Sequence, residues 1–381
     1  MLRIQALDGW RGIAAVFVSL YHLNFLNHLH DWVFLRNSYL FVDFFFVLSG
    51  FVITHAYQNK LKNKDDITHF IKKRLSRLLP LHLFILLLFL ILELLKLLLV
   101  QFGTWNMDNP PFSGEYSISS FISNIFLMHS LGIHNHLSWN YPSWSISVEF
   151  YTYILFAFVA VIDYRYRSFK WPLYSILIGI SFYLIYVNTQ NLNDATFHFG
   201  IFRCIIGFFL GSICYRLFLM TREKVIPQAT LVEIGLMVFI YFFVTYLGAE
   251  KLSIVAPIIF ALTVYVFSFE QGYVSNLLKG KIFQELGKWS YSIYMIHALI
   301  ILIMGRGVNL IEKLSGHSFY IKHVTEVSNT ELIYYYSPYL MDFLTLVFLG
   351  ILIYISSLTY KYIELRMSFS ALYNKLRKLN P

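Results

Sequence analysis

Apolar runs long enough to cross a bilayer recur along the whole chain, and this restricts the fold more than any other feature of the sequence. About ten such spans are expected, near 10–28, 39–58, 78–101, 145–162, 173–188, 199–219, 230–247, 252–269, 289–305 and 339–360. A span prefers about 20 apolar residues, so the shorter runs are expected to tilt or to sit where the bilayer thins. Backbone inside lipid must satisfy its own hydrogen bonds. With no alternating strand pattern in these runs, the expected fold class is all-α: a polytopic membrane helix bundle. Only 13% of residues are charged, about half the share usual in a soluble domain.

Charge placement gives the orientation. With the N-terminus in the cytoplasm, 23 of the 30 lysines and arginines fall on the inside and five on the outside. Lys96 and Arg203 lie within spans. This positive-inside asymmetry places both termini in the cytoplasm. Residues 1–365 are read as one integral membrane domain and 366–381 as a cytoplasmic basic tail, with no cleavable leader and no appended soluble domain expected. The net charge of +9 is thereby explained by topology, so no nucleic-acid partner is expected. Residues 118–133, with several serines and an asparagine, are expected to be interfacial or re-entrant. The outer loop 102–144 lacks lysine and arginine but holds Trp105, Trp139, Tyr116, Tyr141, Asn106, Asn109, Asn135 and Asn140. It suits either stacking on sugar rings or an aromatic belt at the interface.

Ionisable residues inside apolar spans mark functional sites. Arg11 and His22 are eleven residues apart, a helical rise of about 16 Å and close to three turns. They are expected on nearly one face, the arginine near the membrane surface and the histidine well inside. A neutral imidazole can take a proton near neutral pH, so His22 is the first candidate base. Asp43, among aromatics near the outer end of the second span, is expected at comparable depth; it either orients His22 or caps its helix. Arg74 and Arg77, at i, i+3 on the cytoplasmic side, either hold phosphates as guanidinium forks or anchor the helix. Glu149 lies one turn from Ser145 on the same face, next to Trp144, and either meets an acceptor hydroxyl or holds packing. Ser290, Tyr294 and His297 form an i, i+4, i+7 stripe that suits interhelical hydrogen bonding or substrate contact. His129, His134 and His136 are close in sequence but have no carboxylate or cysteine at ligand spacing, so no metal is expected. Cys204 and Cys214 share one apolar run and are expected to be buried and free.

Six segments in order resemble the acyltransferase-3 family of integral membrane O-acyltransferases: Leu7 to His22 with its arginine–ten residues–histidine spacing, Phe41 to Gly50, Arg74-x-x-Arg77, Trp144-Ser-x-Ser-Val-Glu149, Ser290-Tyr-Ser-x-Tyr294-x-x-His297, and Tyr360-Lys-Tyr-Ile-Glu364. Leu365 and Arg366 follow the last glutamate where the commoner pattern has a proline. The resemblance implies transfer of an acyl group, usually acetyl, from acyl-CoA (acetyl-CoA) to a hydroxyl of a carbohydrate or glycolipid acceptor, in a multi-pass protein of the inner (plasma) membrane. His22, Asp43 and Glu149 would be catalytic; Arg11, Arg74 and Arg77 would hold the acyl donor; Trp144, Ser145, Tyr294 and His297 would contact substrate. Ten spans with polar residues along a path also fit a transporter or flippase of a glycan or lipid. Neither reading fixes the oligomeric state.

Overall fold

The computed structural model describes residues 3–103, 110–166, 170–324 and 329–366. Helix α1 (Gln5–Tyr21) opens the chain; the single turn α2 (Val33–Arg36) and a 3-10 turn lead into α3 (Phe41–Tyr57). The 38-residue α4 (Lys64–Gln101) is followed by the short α5 (Ile118–Ile125) and by α6 (Trp144–Tyr166). Helices α7 (Lys170–Asn188), α8 (Gly200–Thr221), α9 (Ala229–Leu247) and α10 (Ala256–Ser268) follow. The short α11 (Tyr273–Leu278) precedes the 35-residue α12 (Lys281–Ser315). Strands β1 (Tyr320–Val324) and β2 (Asn329–Ile333) pair antiparallel, and α13 (Pro338–Thr359) ends in a π turn over Tyr360–Glu364.

Among the described residues nine helices are long and apolar enough to cross a membrane, and they fall on nine of the ten expected spans. The first expected span, 10–28, differs. Helix α1 stops at Tyr21 after 17 residues, with His22 at its C-terminal cap. Beyond it the backbone pairs with the hairpin instead: Leu26 N–H donates to the Ile333 carbonyl at 3.0 Å and Ile333 N–H to the Asn24 carbonyl at 2.9 Å. Asn24 and Asn27, which favour turns over helix interiors, sit where the helix would have continued. That hairpin is the one departure from an all-α chain among the described residues.

Helix α4 begins 14 residues before its apolar run. Asn63 accepts from the Asp66 N–H at 3.0 Å while the Asp66 carboxylate accepts from the Asn63 N–H at 3.2 Å, a capping box that fixes the start. At 1.5 Å per residue the helix is about 57 Å long against a hydrocarbon core of about 30 Å. The segment carrying Arg74 and Arg77 is therefore helical before the leucine-rich part begins.

Helix α3 is central and α7 peripheral: 78% of the most apolar stretch of one is buried, against 17% for the other. Close backbone approach holds the centre. A Cβ on Gly50 would lie 1.8 Å from the Phe208 carbonyl oxygen, and one on Gly211 1.9 Å from that of Val47. Helices α1 and α12 meet similarly, with the Gly12 Cβ position 2.7 Å from Gly287 N and that of Gly287 2.2 Å from the Asp8 carbonyl oxygen. Without a hydrophobic driving force between helices in lipid, such small-residue contacts supply the packing. Cys204 and Cys214 are buried and free.

Candidate active site

Two cavities open into the bundle from different sides of one aromatic wall. The smaller, about 410 Å³, lies among α1, α3, α4, α6 and α12. Arg3, Arg11, Arg74, Arg77 and Lys288 line it, with Asp8, Glu149 and Glu364 as the acidic residues. Arg3 is paired with Asp8 at 2.8 Å and Lys288 with Glu285 at 2.5 Å. The Arg11 guanidinium donates to the Gly287 carbonyl at 2.7 and 3.2 Å, so the α1–α12 glycine contact fixes its position. Arg74 is 8% exposed. Its guanidinium lies 5.4 Å from the centre of the Tyr57 ring and 5.8 Å from that of Phe70, and it donates to the Tyr57 hydroxyl at 3.4 Å. Arg77, one turn on, is exposed.

Deeper in this cavity the Ser145 and Tyr294 hydroxyls are 2.8 Å apart, and Tyr294 donates to the Pro142 carbonyl at 3.0 Å. The Tyr153 hydroxyl donates to Glu149 Oε1 at 2.6 Å and lies 2.9 Å from Ser49 Oγ. Ser292 hydrogen-bonds Glu364 where the π turn meets α12.

The wall continues from Tyr294. The Tyr294 ring is 5.9 Å from His297, and His297 is stacked on His22 at 5.2 Å with an 18° interplanar angle. Tyr141 closes over both histidines, 4.7 Å from His22 and 6.0 Å from His297. His297 is fully buried, and among the described residues neither ring nitrogen makes a well-directed hydrogen bond; the Ile293 and Tyr294 backbone of its own helix lies beside the ring. His22 and Tyr141 face the second cavity, about 1010 Å³. Its other polar lining includes Asn24, Asn27, Asn191, Asn193, Asp31 and Glu115.

The structure thus divides the residues singled out from the sequence. Arg11, Arg74, Arg77, Ser145, Glu149 and Tyr294 share the smaller cavity, His22 lines the larger, and His297 stands between. Arg11 and His22 belong to one helix but open into different cavities. The distance along α1 is enough to carry them to opposite sides of the wall.

Asp43 differs from expectation. Its carboxylate faces Arg203 rather than His22, accepting from Arg203 Nε at 3.0 Å and Nη2 at 2.7 Å. Both side chains are sealed from solvent, at 0% and 1% exposure. A lone aspartate in one apolar span and a lone arginine in another were the available signal, since each needs a partner in lipid. Trp144 lines neither cavity; its ring lies under the Arg203 guanidinium at 5.3 Å and against Phe46 at 5.9 Å. Trp139 is likewise no sugar platform. It is 2% exposed, donates from Nε1 to Ser120 Oγ at 3.0 Å, and packs on Phe121 and Tyr116. Trp105, Asn106 and Asn109 lie outside the described residues, as do residues 367–381 of the basic tail.

His129 and His134 hydrogen-bond Ser143 and Ser123 at 3.0 and 2.8 Å. Burial, with His82 beside it, pushes His129 down to about 3, so it serves as a neutral hydrogen-bonding group. Among the described residues no three potential metal ligands stand together.

Fold and site together define a multi-pass helical membrane protein whose polar centre separates a cavity rich in arginine from a larger one of mixed charge, with Asp31, Arg36 and Glu115 in its lining. The chain belongs to the acyltransferase-3 family: the family model described as an acyltransferase domain matches residues 4–362. A Staphylococcus aureus (strain COL) protein whose name proposes O-acetyltransferase activity is 26% identical over 334 residues, covering 79% of this chain and 51% of that protein. A Rhizobium radiobacter protein, "Protein 2 in picA locus", is 44% identical over 86 residues, covering 21% and 40%. The O-acetyltransferase OatA of S. aureus (strain NCTC 8325 / PS 47) is 38% identical over 84 residues, covering 22% and 13%. The chain spans about half the length of the first of these relatives and less of the other two. No solved structure matches it significantly.

Proposed function

We propose that this chain is a membrane O-acyltransferase that moves an acyl group, acetyl in the first instance, from cytoplasmic acyl-CoA to a hydroxyl of an extracytoplasmic glycan. The carrying observation is the pairing of two chemically different cavities across the His22–His297–Tyr294 wall. The lysine and arginine distribution supports a cytoplasmic mouth for the arginine-lined cavity, and the family resemblance supports the inner membrane as its location.

Acyl-CoA is a substrate here. Arg77 at the mouth and Arg74 behind it suit its phosphates, because guanidinium forks match phosphate oxygens. The acyl end and pantetheine arm run inward toward Ser145 and Tyr294. Glu149, expected either to meet the acceptor hydroxyl or to hold packing, lines the arginine cavity, and in this reading its carboxylate accepts from a pantetheine amide N–H.

With the His297 and Tyr294 side chains moved aside so that the two cavities join, His22 takes the proton of the acceptor hydroxyl, the oxygen attacks the thioester carbonyl, and the C–S bond breaks to release coenzyme A thiolate, which takes that proton from His22. In the other order His22 attacks the thioester and expels coenzyme A thiolate, and the acceptor oxygen then displaces the acyl group from His22 while its proton goes to the thiolate through solvent. A hydroxylamine-sensitive label on the protein from radiolabelled acetyl-CoA distinguishes the two.

The test is thiol release from acetyl-CoA by purified, lipid-reconstituted protein, with and without His22→Ala. Release by wild type and its loss in a folded variant is the expected result. Ester formation at the normal rate by folded His22→Ala would reject the role of His22. No thiol release by wild type with any glycan acceptor would favour transport of a glycan or lipid.

A further inference from the structure

We propose that the Asp43–Arg203 pair is a positioning device for the larger cavity, fixing the rim against which the acceptor is held. This rests on reading that cavity as the acceptor's.

The pair itself lines neither cavity, but what it holds does. Arg203 Nη2 bonds Asp43 and, at 3.3 Å, the Tyr39 carbonyl; Nη1 bonds the Leu192 carbonyl at 3.1 Å. Tyr39 lines the larger cavity, and Asn191 and Asn193, the neighbours of Leu192, line it too. Leu192 is gripped from the other side by Ser253 Oγ, which accepts its N–H at 2.9 Å. Below the guanidinium lies Trp144, which begins α6, the helix that carries Ser145 and Glu149. One side chain of α8 therefore joins the N-terminal part of α3, the 189–199 connection and the start of α6.

A planar fork explains why arginine stands here. An ion pair alone is an expensive way to stabilise a buried site, since apolar residues of similar volume often do as well or better. Lysine would neutralise Asp43, but a single ammonium cannot reach two backbone carbonyls in divergent directions while keeping the carboxylate. The arrangement is accounted for by what it aims, namely two carbonyls whose residues or neighbours form the cavity wall.

The test compares wild type with Arg203→Lys and with Asp43→Leu/Arg203→Met. The first keeps the charge pair and loses the fork; the second replaces the pair with apolar bulk. Acetyl transfer is followed with maltotriose and tri-N-acetylchitotriose as soluble acceptor probes. In parallel, the labelling rate of Asn193→Cys by a hydrophilic maleimide is measured in each background. The expected result is a rise of about 10-fold or more in KM for the sugar, from loss of charge-assisted hydrogen bonds that aim the rim, an unchanged KM for acetyl-CoA, and faster labelling at position 193. Folded variants in which both KM values stay put, or rise together, overturn the proposal, as does an unchanged labelling rate. Failure of both variants to fold also overturns it, because the pair would then serve folding alone. If wild type acetylates neither sugar, the acceptor reading fails separately, and the labelling comparison decides this inference.

Discussion

The imidazoles of His22 and His297 are stacked face to face, ring centroids 5.2 Å apart, one at the end of α1 and the other in the middle of α12. Only His22 opens into a cavity. His297 stands behind His22, between it and Tyr294 of the other chamber. In the proposed reaction His22 is the base, and positioned base catalysis contributes roughly 10²–10⁴-fold. His22→Ala is expected to lower acyl transfer by at least that range while the protein still inserts and elutes as wild type in size-exclusion chromatography.

His297 gives a different signature. Among the described residues its ring nitrogens make no well-directed hydrogen bond, with only the Ile293 and Tyr294 backbone of its own helix beside them, and a poorly satisfied buried polar group costs about 1–3 kcal/mol. His297→Leu is therefore expected to hold or raise the thermal midpoint while turnover falls. A midpoint that drops by several degrees would show that the ring is held by a partner and acts in packing.

The arginine pair should act on donor binding. Each charge-assisted hydrogen bond is worth about 1.5–3 kcal/mol, so Arg74→Gln and Arg77→Gln are each expected to raise KM for acetyl-CoA by about 10-fold or more. Exposed Arg77 should show the stronger dependence on ionic strength, because salt screens surface charges more than buried ones. Titration of coenzyme A binding at two salt concentrations checks both statements, and unchanged affinity in both variants would remove the arginines from the donor site.

Glu149→Gln keeps the shape and the bond from Tyr153 but removes the charge. If the carboxylate meets the donor, KM for acetyl-CoA rises and that for the acceptor does not. Steady-state kinetics with each substrate varied in turn reads this directly, and a change confined to the acceptor would return Glu149 to the role first expected of it.

Gly50→Ala and Gly211→Ala test the packing. In each case the new methyl meets a backbone carbonyl closer than 2 Å, which a side-chain adjustment cannot relieve. Overpacking typically costs about 1–3 kcal/mol, so both variants should melt earlier than wild type. Gly179→Ala, where nothing stands within 4 Å, should not.

Much was legible in the chain because lipid leaves few choices. Nine helices fall on runs whose length and apolarity announced them, and Arg74, Arg77, Ser145, Glu149 and Tyr294 were conspicuous as polar groups in or beside such runs. The end of α1 was not legible, because the apolar run continues past Tyr21 and only the hairpin at Ile333, over three hundred residues away, draws the backbone out of the helix. Trp139 likewise read as a surface aromatic until Ser120, Phe121 and Tyr116 closed around it.

The sequence by itself determined that the chain is a membrane helix bundle and which side chains are too costly in hydrocarbon to be idle, since both follow from local composition and the free energy of polar groups in lipid. Tertiary structure alone decided who meets whom. Asp43 is claimed by Arg203 and His22 by His297, and Arg11 is turned toward the opposite chamber, because partners in a bundle are chosen by helix order and by how closely glycine lets backbones approach, neither of which is written in any one segment.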